Sequence, residues 1–434
     1  MILQDTIYAV STAPGKSAIS VVRVSGKKAY ESVKKISKSM PKKPNHSKLN
    51  KIIEKNGDTI DQTITTFYKS PKSYTGEDMV EISFHGGSAV LSKFIGMFEK
   101  NKDVRQAKPG EFTRRAFENN KLDLTQVEAV ADLVNAETEN QRKEAFNQLE
   151  GSSSLGLKKI HEKTKNLLAE AEAIIDFSDE DLPKNVYNQI LEQIENIITE
   201  IDSAVSKNIR SRKIHNGYIV GIIGKTNTGK SSFINKISNQ DVSIVTSQPG
   251  TTRDVLESYI DIQGLPVRFY DTAGIRRSKS TIENIGISKS KKLAENSDLN
   301  LIFIEKKSDL LRFKSYKNKI FVQSKHDIRR TLNKNKDIIS ISSKTGFGIK
   351  NLLKIISKKL IKMSFKEFGH ISRERHMRFL SDSKKHLLRA KENKNYDKFC
   401  EDIRLALNEI SKIYGKTDVE DILEIIFNDF CIGK

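Results

Sequence analysis

The sequence predicts a multidomain α/β, α and α+β chain. A P-loop (Ras-like) α/β unit is inserted into a helical domain and preceded by a small α+β domain. Three observations predict this. Near the middle of the chain a phosphate-loop motif stands between a strand-like and a helix-like stretch. Helical periodicity flanks that unit on both sides. In the first 118 residues, short β-branched runs alternate with helical segments.

Residues 1–118 hold the β-branched runs Ile19–Val24, Ile64–Tyr68 and Val80–Phe84, with helical patterning over Lys27–Ile36 and Ser88–Glu99. From 119 to 213 the pattern is helical. Thr125 and Glu128 have capping-box spacing ahead of Val127, Val130 and Val134. Ile190, Ile194, Ile197, Ile198, Ile201 and Val205 mark a second long helix. Residues 214–362 alternate strands with helices. Residues 363–434 return to helix, ending in Val419, Ile422, Leu423, Ile426, Phe427 and Phe430. The two helical stretches therefore read as one domain interrupted by the α/β unit, since insertions are tolerated where a domain's termini lie close together.

Gly224-Lys225-Thr226-Asn227-Thr228-Gly229-Lys230-Ser231 matches G-x-x-x-x-G-K-[ST]. The apolar stretch Tyr218–Ile223 precedes it, and Ser232–Ile237 opens a helix after it. Its glycines let backbone N–H groups converge on phosphates, where a helix N-terminus adds positive potential. Lys230 reaches the β- and γ-phosphates and the Ser231 hydroxyl ligates Mg²⁺. Asp271-Thr272-Ala273-Gly274 ends a second alternating stretch, placing an Asp to hold Mg²⁺ through water and a Gly N–H beside the γ-phosphate. In Gly250-Thr251-Thr252 a threonine closes over the metal.

Ser324-Lys325-His326-Asp327 follows the stretch Lys319–Val322. The Asp327 carboxylate pairs with guanine N1–H and N2–H₂, which adenine cannot offer; an unpaired buried acceptor costs about 1–3 kcal/mol. Ser342-Ser343-Lys344 supplies the last guanine-side loop. Five elements in this order imply a GTP-hydrolysing unit.

Two positions depart from the common pattern. Ser324 stands where N-K-x-D has Asn, which usually ties the base loop to the P-loop; weaker affinity with retained guanine selectivity is expected. Ile275 follows Asp271–Gly274 where signalling GTPases carry a water-orienting Gln. Asn227 and the oxygen-rich Val245-Thr246-Ser247-Gln248-Pro249-Gly250-Thr251 instead resemble the potassium-activated GTPases that work by G-domain dimerisation. In those, K⁺ sits where an arginine finger would, a position worth roughly 10³–10⁵ in rate. As an isolated residue Asn227 also reads as a satisfied turn.

At 434 residues the chain accommodates two or three domains. Its two cysteines, Cys400 and Cys431, exclude a disulfide framework and a Cys-rich zinc site, and suit a cytoplasmic location. Met1–Asp5 lacks the basic start of a secretory leader, and no apolar run approaches membrane-spanning length. Net charge is +20, with 14 Lys/Arg against 5 Asp/Glu between Lys354 and Lys398. RNA is the natural partner for such a surface, and a solvated helix face the plain alternative.

Further motifs carry a resemblance over the whole chain: Asp5-Thr6-Ile7, Val22–Gly26, Tyr74–Asp78, His85-Gly86-Gly87, Lys108–Thr113, Lys121–Leu124, Ala173–Phe177 and the ending Phe430-Cys431-Ile432-Gly433-Lys434. Together they resemble the MnmE (TrmE) family of tRNA modification GTPases. That resemblance implies a homodimer acting in a heterotetramer with the FAD protein MnmG. Together they would place an aminomethyl or carboxymethylaminomethyl group on C5 of wobble uridine 34 of certain tRNAs. It implies a tetrahydrofolate derivative (5-formyl- or methylene-tetrahydrofolate) bound by Arg23, Glu81, Lys121 and Lys434. It assigns Asn227, Thr246, Gln248 and Thr251 to K⁺, Ser231 and Thr252 to Mg²⁺, and Glu283 to the catalytic water. Cys431 is a candidate thiol for the one-carbon chemistry, or else a buried small hydrophobe.

Taken singly, Glu81 is also an ordinary surface charge, Arg23 an ordinary salt-bridge partner, and Glu283 a solvated charge. A ribosome-assembly GTPase docking on rRNA is the rival reading; it needs no folate site in residues 1–118. A stand-alone regulatory GTPase explains neither the C-terminal ending nor the basic stretch.

Overall fold

The computed structural model describes residues 5–176, 186–206, 209–225, 227–238, 257–271, 295–306, 308–328, 338–363 and 373–417, with positions 423, 426, 427, 430 and 433. Contacts group the chain into two units, Met1–Ala131 with Ser411–Lys434, and Asp132–Ile410.

The first unit is built on strands β1 (Thr6–Val10), β2 (Ser17–Ser25), β3 (Ser47–Ile53), β4 (Thr59–Tyr68), β5 (Met79–Gly86) and β6 (Val104–Gln106). They lie in the order β3-β4-β5-β2-β1-β6, antiparallel except for the β1–β6 pair. Alternation sets the two faces. Val22, Val24, Ile82 and Phe84 are buried with Phe94 and Phe98 of one of the helices, α1 (Ala29–Lys34), α2 (Ser88–Phe98), α3 (Glu111–Glu118) and α4 (Leu124–Val134), namely α2. Leu124 and Val127 of α4 bury with Leu423, Phe427 and Phe430.

The start of α4 corrects one expectation. Thr125 and Glu128 do not form the capping box; both are buried within the helix. Asp123 caps it instead, its Oδ1 accepting from the Gln126 amide at 3.0 Å while Gln126 Oε1 accepts from the Asp123 amide at 3.0 Å. The same exchange with Asx chemistry sits two residues earlier, where the backbone is still free to turn.

In the second unit, Thr138 and Gln141 form a capping box on α5 (Glu139–Leu149), followed by α6 (Ser152–Asp176), α7 (Val186–Ser206) and α8 (Ile209–Asn216). The isoleucine stripe of α7 is buried as its spacing predicts. The α/β part holds β7 (Tyr218–Gly224), α9 (Lys230–Ser238), β8 (Glu257–Ile262), β9 (Leu265–Asp271), β10 (Leu299–Phe303), α10 (Ser308–Arg312), β11 (Lys319–Gln323), β12 (Ile338–Ser340) and α11 (Ile349–Met363). Then come α12 (Glu374–Glu392) and α13 (Tyr396–Tyr414). The sheet order is β12-β11-β10-β7-β9-β8, parallel except for β8 at the edge. β8 and β10 carry no motif that marks them in the sequence.

Where the chain passes into and out of this α/β part, one carboxylate gathers three segments. Asp132 Oδ1 accepts from His215 Nε2 at 3.0 Å and from Arg373 Nη2 at 2.6 Å. The Asp132 bond holds the His215 imidazole above its usual pKa, against burial and the nearby Arg373 charge.

Candidate active site

β7 lies between β9 and β10, and the chain that leaves its C-terminal end is the phosphate-loop motif. Open α/β sheets bind ligands at this edge, where successive strands are added on opposite sides. Two glycines are obligatory here. Gly224 has φ +153°, and a Cβ on it would lie 2.6 Å from the Phe303 carbonyl oxygen. Gly229 has φ +87°, and its Cβ would lie 2.8 Å from Ser324 Oγ. The loop curls tightly around Lys230, which is 4% exposed and donates to the carbonyls of Gly224 at 2.9 Å and Lys225 at 2.5 Å. Thr228 Oγ1 closes the curl by donating to the Lys225 carbonyl at 2.7 Å. Ser231 and Ser232 stand exposed in the first turn of α9.

The base-side loop is tied to this cradle. The Ser324 hydroxyl donates to the carbonyl of Thr228, and Lys325 Nζ to that of Asn227 at 2.9 Å. Ser324 thus makes the tie to the P-loop that Asn usually supplies, its shorter hydroxyl bonding from close range. Asp327 accepts from Ser342 Oγ at 2.6 Å, a bond that holds its carboxyl below the ordinary range. His326 stacks on Phe347, with centroids 4.4 Å apart and planes 13° from parallel. Ser343 and Lys344 continue the same loop, with Lys344 exposed.

Asp271 ends β9 opposite Ile222 of β7, so the backbone sets it beside the root of the P-loop. Thr246, Ser247, Gln248, Pro249, Gly250, Thr251, Thr252, Thr272, Ala273, Gly274, Glu283, Cys431 and Lys434 lie outside the described residues.

In the first unit, Arg23 on β2 and Glu81 on β5 are directly opposed in register. Arg23 Nε donates to Glu81 Oε1 at 2.9 Å, and Tyr68 OH reaches Glu81 Oε2 at 3.3 Å. The Arg23 guanidinium lies over the Tyr74 ring at 5.3 Å. Lys121 does not join this pair: its Nζ donates to the Pro71 carbonyl at 3.1 Å.

The same unit holds an ionic cluster around Arg115, which is 1% exposed. Arg115 bonds Asp5 Oδ1 at 2.7 Å, Glu77 Oε2 at 3.1 Å and Glu111 Oε1 at 3.1 Å. Arg105 bonds Glu111 twice, at 2.8 and 2.5 Å. Burial pushes the Glu111 carboxyl up, but bonds from Arg105 and the Lys108 amide prevail and hold it below the usual range.

Two family models match the chain: the N-terminus of the GTP-binding protein TrmE over residues 6–121, and the MnmE helical domain over residues 124–431. The tRNA modification GTPase MnmE of Pelagibacter ubique is 41% identical, covering 99% of this chain and 100% of its own. That of Aquifex aeolicus is 38% identical over 100% of both. That of Parvibaculum lavamentivorans is 37% identical over 99% of this chain and 100% of its own. The chain belongs to the MnmE family.

As an MnmE-family member it is a GTP-binding GTPase involved in tRNA modification. Among the described residues no helix is long and apolar enough to cross a membrane. Some of its site chemistry had no sequence signal. Lys225, at the first variable position of the P-loop, donates to the buried Asp309 at 2.9 Å. Asp309 in turn accepts from the amides of Glu305 and Lys306, both at 3.1 Å. That tether is long-range and leaves no local pattern. Phe347 had one available signal, as the sole aromatic residue after Ser342-Ser343-Lys344 within Thr345–Gly348.

Proposed function

We propose that this GTPase is potassium-activated and works on C5 of the wobble uridine of tRNA, with a folate derivative as one-carbon donor and the FAD protein MnmG as partner. The observation that carries the GTPase part is Asn227. Its backbone is left-handed at φ +64° and pinned through its carbonyl by Lys325, while its side chain is exposed at the loop apex with no hydrogen bond among the described residues. An amide oxygen held outward on a rigid turn suits a hard monovalent cation. Thr246, Gln248 and Thr251 would complete the K⁺ shell. Ser231 and Thr252 would hold Mg²⁺, with Asp271 acting through water, because hydroxyl and carboxylate oxygens suit that ion. Glu283 is assigned to the attacking water once two G domains meet.

Arg23, Glu81, Lys121 and Lys434 are assigned to the folate, with Cys431 as candidate thiol. The donor set fits the group. Glu81 presents a carboxylate beside Tyr68 and Arg23, and its side chain is 24% exposed, enough to accept an amide-like pterin edge. Lys121 is exposed on the neighbouring segment and suits glutamyl carboxylates. Membership of the family supports homodimerisation and assembly with MnmG as part of this reading.

GTP turnover measured in KCl and in NaCl at equal ionic strength tests the reading. Turnover should rise sharply in KCl, and Asn227→Ala should remove most of that rise. Equal rates in both salts reject potassium activation.

A further inference from the structure

The basic stretch between Lys354 and Lys398 divides into two chemically different parts. On α12 and α13 most of the cations are engaged. Lys384 bonds Asp202 at 2.6 Å, Arg404 bonds Glu172 at 2.6 Å, and Lys391 bonds Glu195. These pairs join α12 and α13 to α6 and α7, and they neutralise one another. α11 is unlike them. Its sequence, IKNLLKIISKKLIKM, holds five lysines and no acidic residue. Ile349, Leu352, Ile356 and Leu360 bury one face in the α/β core. Lys350, Lys354, Lys358 and Lys362 stand exposed on the other face and form no ion pair among the described residues.

Positions i, i+4, i+8 and i+12 line up along a helix, so these ammonium groups repeat about every 6 Å over roughly 18 Å. A row of point charges at that spacing, with no aromatic residue among them, suits a phosphate backbone rather than base edges. We propose that the outer face of α11 is a docking surface for the ribose-phosphate backbone of tRNA, contacting it without reading sequence. The proposal rests on the tRNA-modification reading and adds the place on the G domain where the RNA lies.

Equilibrium binding of unmodified tRNA to the full-length chain, followed by anisotropy across a series of KCl concentrations, tests it. Three proteins are compared: the unaltered chain, K350Q/K354Q/K358Q/K362Q, and a control with the same charge loss, K42Q/K43Q/K48Q/K51Q, at exposed lysines of the other unit. Each phosphate contact contributes roughly 0.7–0.9 to the slope of log affinity against log salt, so the α11 variant should lose about 3 from that slope. Its affinity should fall at least about tenfold near 0.1 M salt while GTP turnover is unaltered and the control binds like the unaltered chain. An unchanged slope in the α11 variant overturns the proposal, as does an equal loss in the control. So does retained tRNA binding with loss of a protein partner, which would make α11 a protein-docking face. No tRNA binding by the unaltered chain would overturn the tRNA reading and this surface together.

Discussion

Arg115 and Lys230 are both almost wholly buried cations, at 1% and 4% exposure, yet their surroundings differ in kind. Arg115 is encircled by carboxylates from three separate segments, Asp5, Glu77 and Glu111, and Ser25 Oγ adds a bond to Glu77 at 2.7 Å. Lys230 rests on the carbonyls of its own loop, Gly224 and Lys225. Carbonyl dipoles bind an ammonium more weakly than an anion does, so a phosphate entering the loop competes well for Lys230. Nothing comparable is left for a ligand at Arg115. One buried cation gathers carboxylates from separate segments; the other is bonded to loop carbonyls that a phosphate can displace.

The largest expected effect tests that contrast from its structural side. Arg115→Met keeps bulk but takes the guanidinium from the partly buried Glu77 and leaves Asp5 and the buried Glu111 with Arg105 alone, which should cost about 3–5 kcal/mol of stability. Denaturant unfolding monitored in the first unit reads this directly. GTP turnover per folded molecule should not change. A loss below about 1 kcal/mol would mean the cluster is solvated and the comparison misplaced.

A smaller effect is expected at the more exposed Arg23–Glu81 pair. The Arg23–Glu81 pair is partly exposed, at 20% and 24%, and such pairs contribute little to stability. Glu81→Gln should therefore leave unfolding nearly unmoved. Binding of 5-formyltetrahydrofolate, by titration calorimetry, should weaken by about 1.5–3 kcal/mol, or roughly ten- to a hundredfold, through loss of a charged acceptor. Equal affinity in the two proteins removes Glu81 from the folate site.

The same contrast explains what could be read from the sequence. The P-loop was legible because its chemistry is local: Gly224, Gly229 and Lys230 act within one turn of chain. The strands β2, β4 and β5 were legible for the same reason, through the β-branched runs Ile19–Val24, Ile64–Tyr68 and Val80–Phe84. Motifs around Asp5, Ser25, Glu77 and Glu111 signalled the family without disclosing their task. Glu111 meets Arg115 one helical turn away, but Asp5 and Glu77 reach it only through tertiary contacts, at separations of 110 and 38 residues, and Ser25 joins through Glu77. The cap on α4 failed for a local reason: two overlapping cap patterns compete at Asp123 and Thr125, and burial of Thr125 decides between them. The Lys225–Asp309 tether was invisible because nothing near either residue implies the other.

Ser324 gives the finest test of whether the nucleotide site is one rigid unit. Its hydroxyl fills the space that Gly229 leaves by lacking a Cβ, and bonds the carbonyl of the buried Thr228. Ser324→Ala removes that donor and leaves the carbonyl unpaired in a tight site, a loss of about 1–2 kcal/mol. Asp327 keeps its own bond from Ser342, so the guanine-facing carboxylate stays oriented. Affinity for GDP and GTP should therefore drop roughly five- to thirtyfold, with little change in preference for guanine over adenine nucleotides. Competition binding with both nucleotide classes separates the two effects. If selectivity fell in step with affinity, the Ser324 link would be orienting the base itself, and phosphate cradle and base loop would not be separable elements.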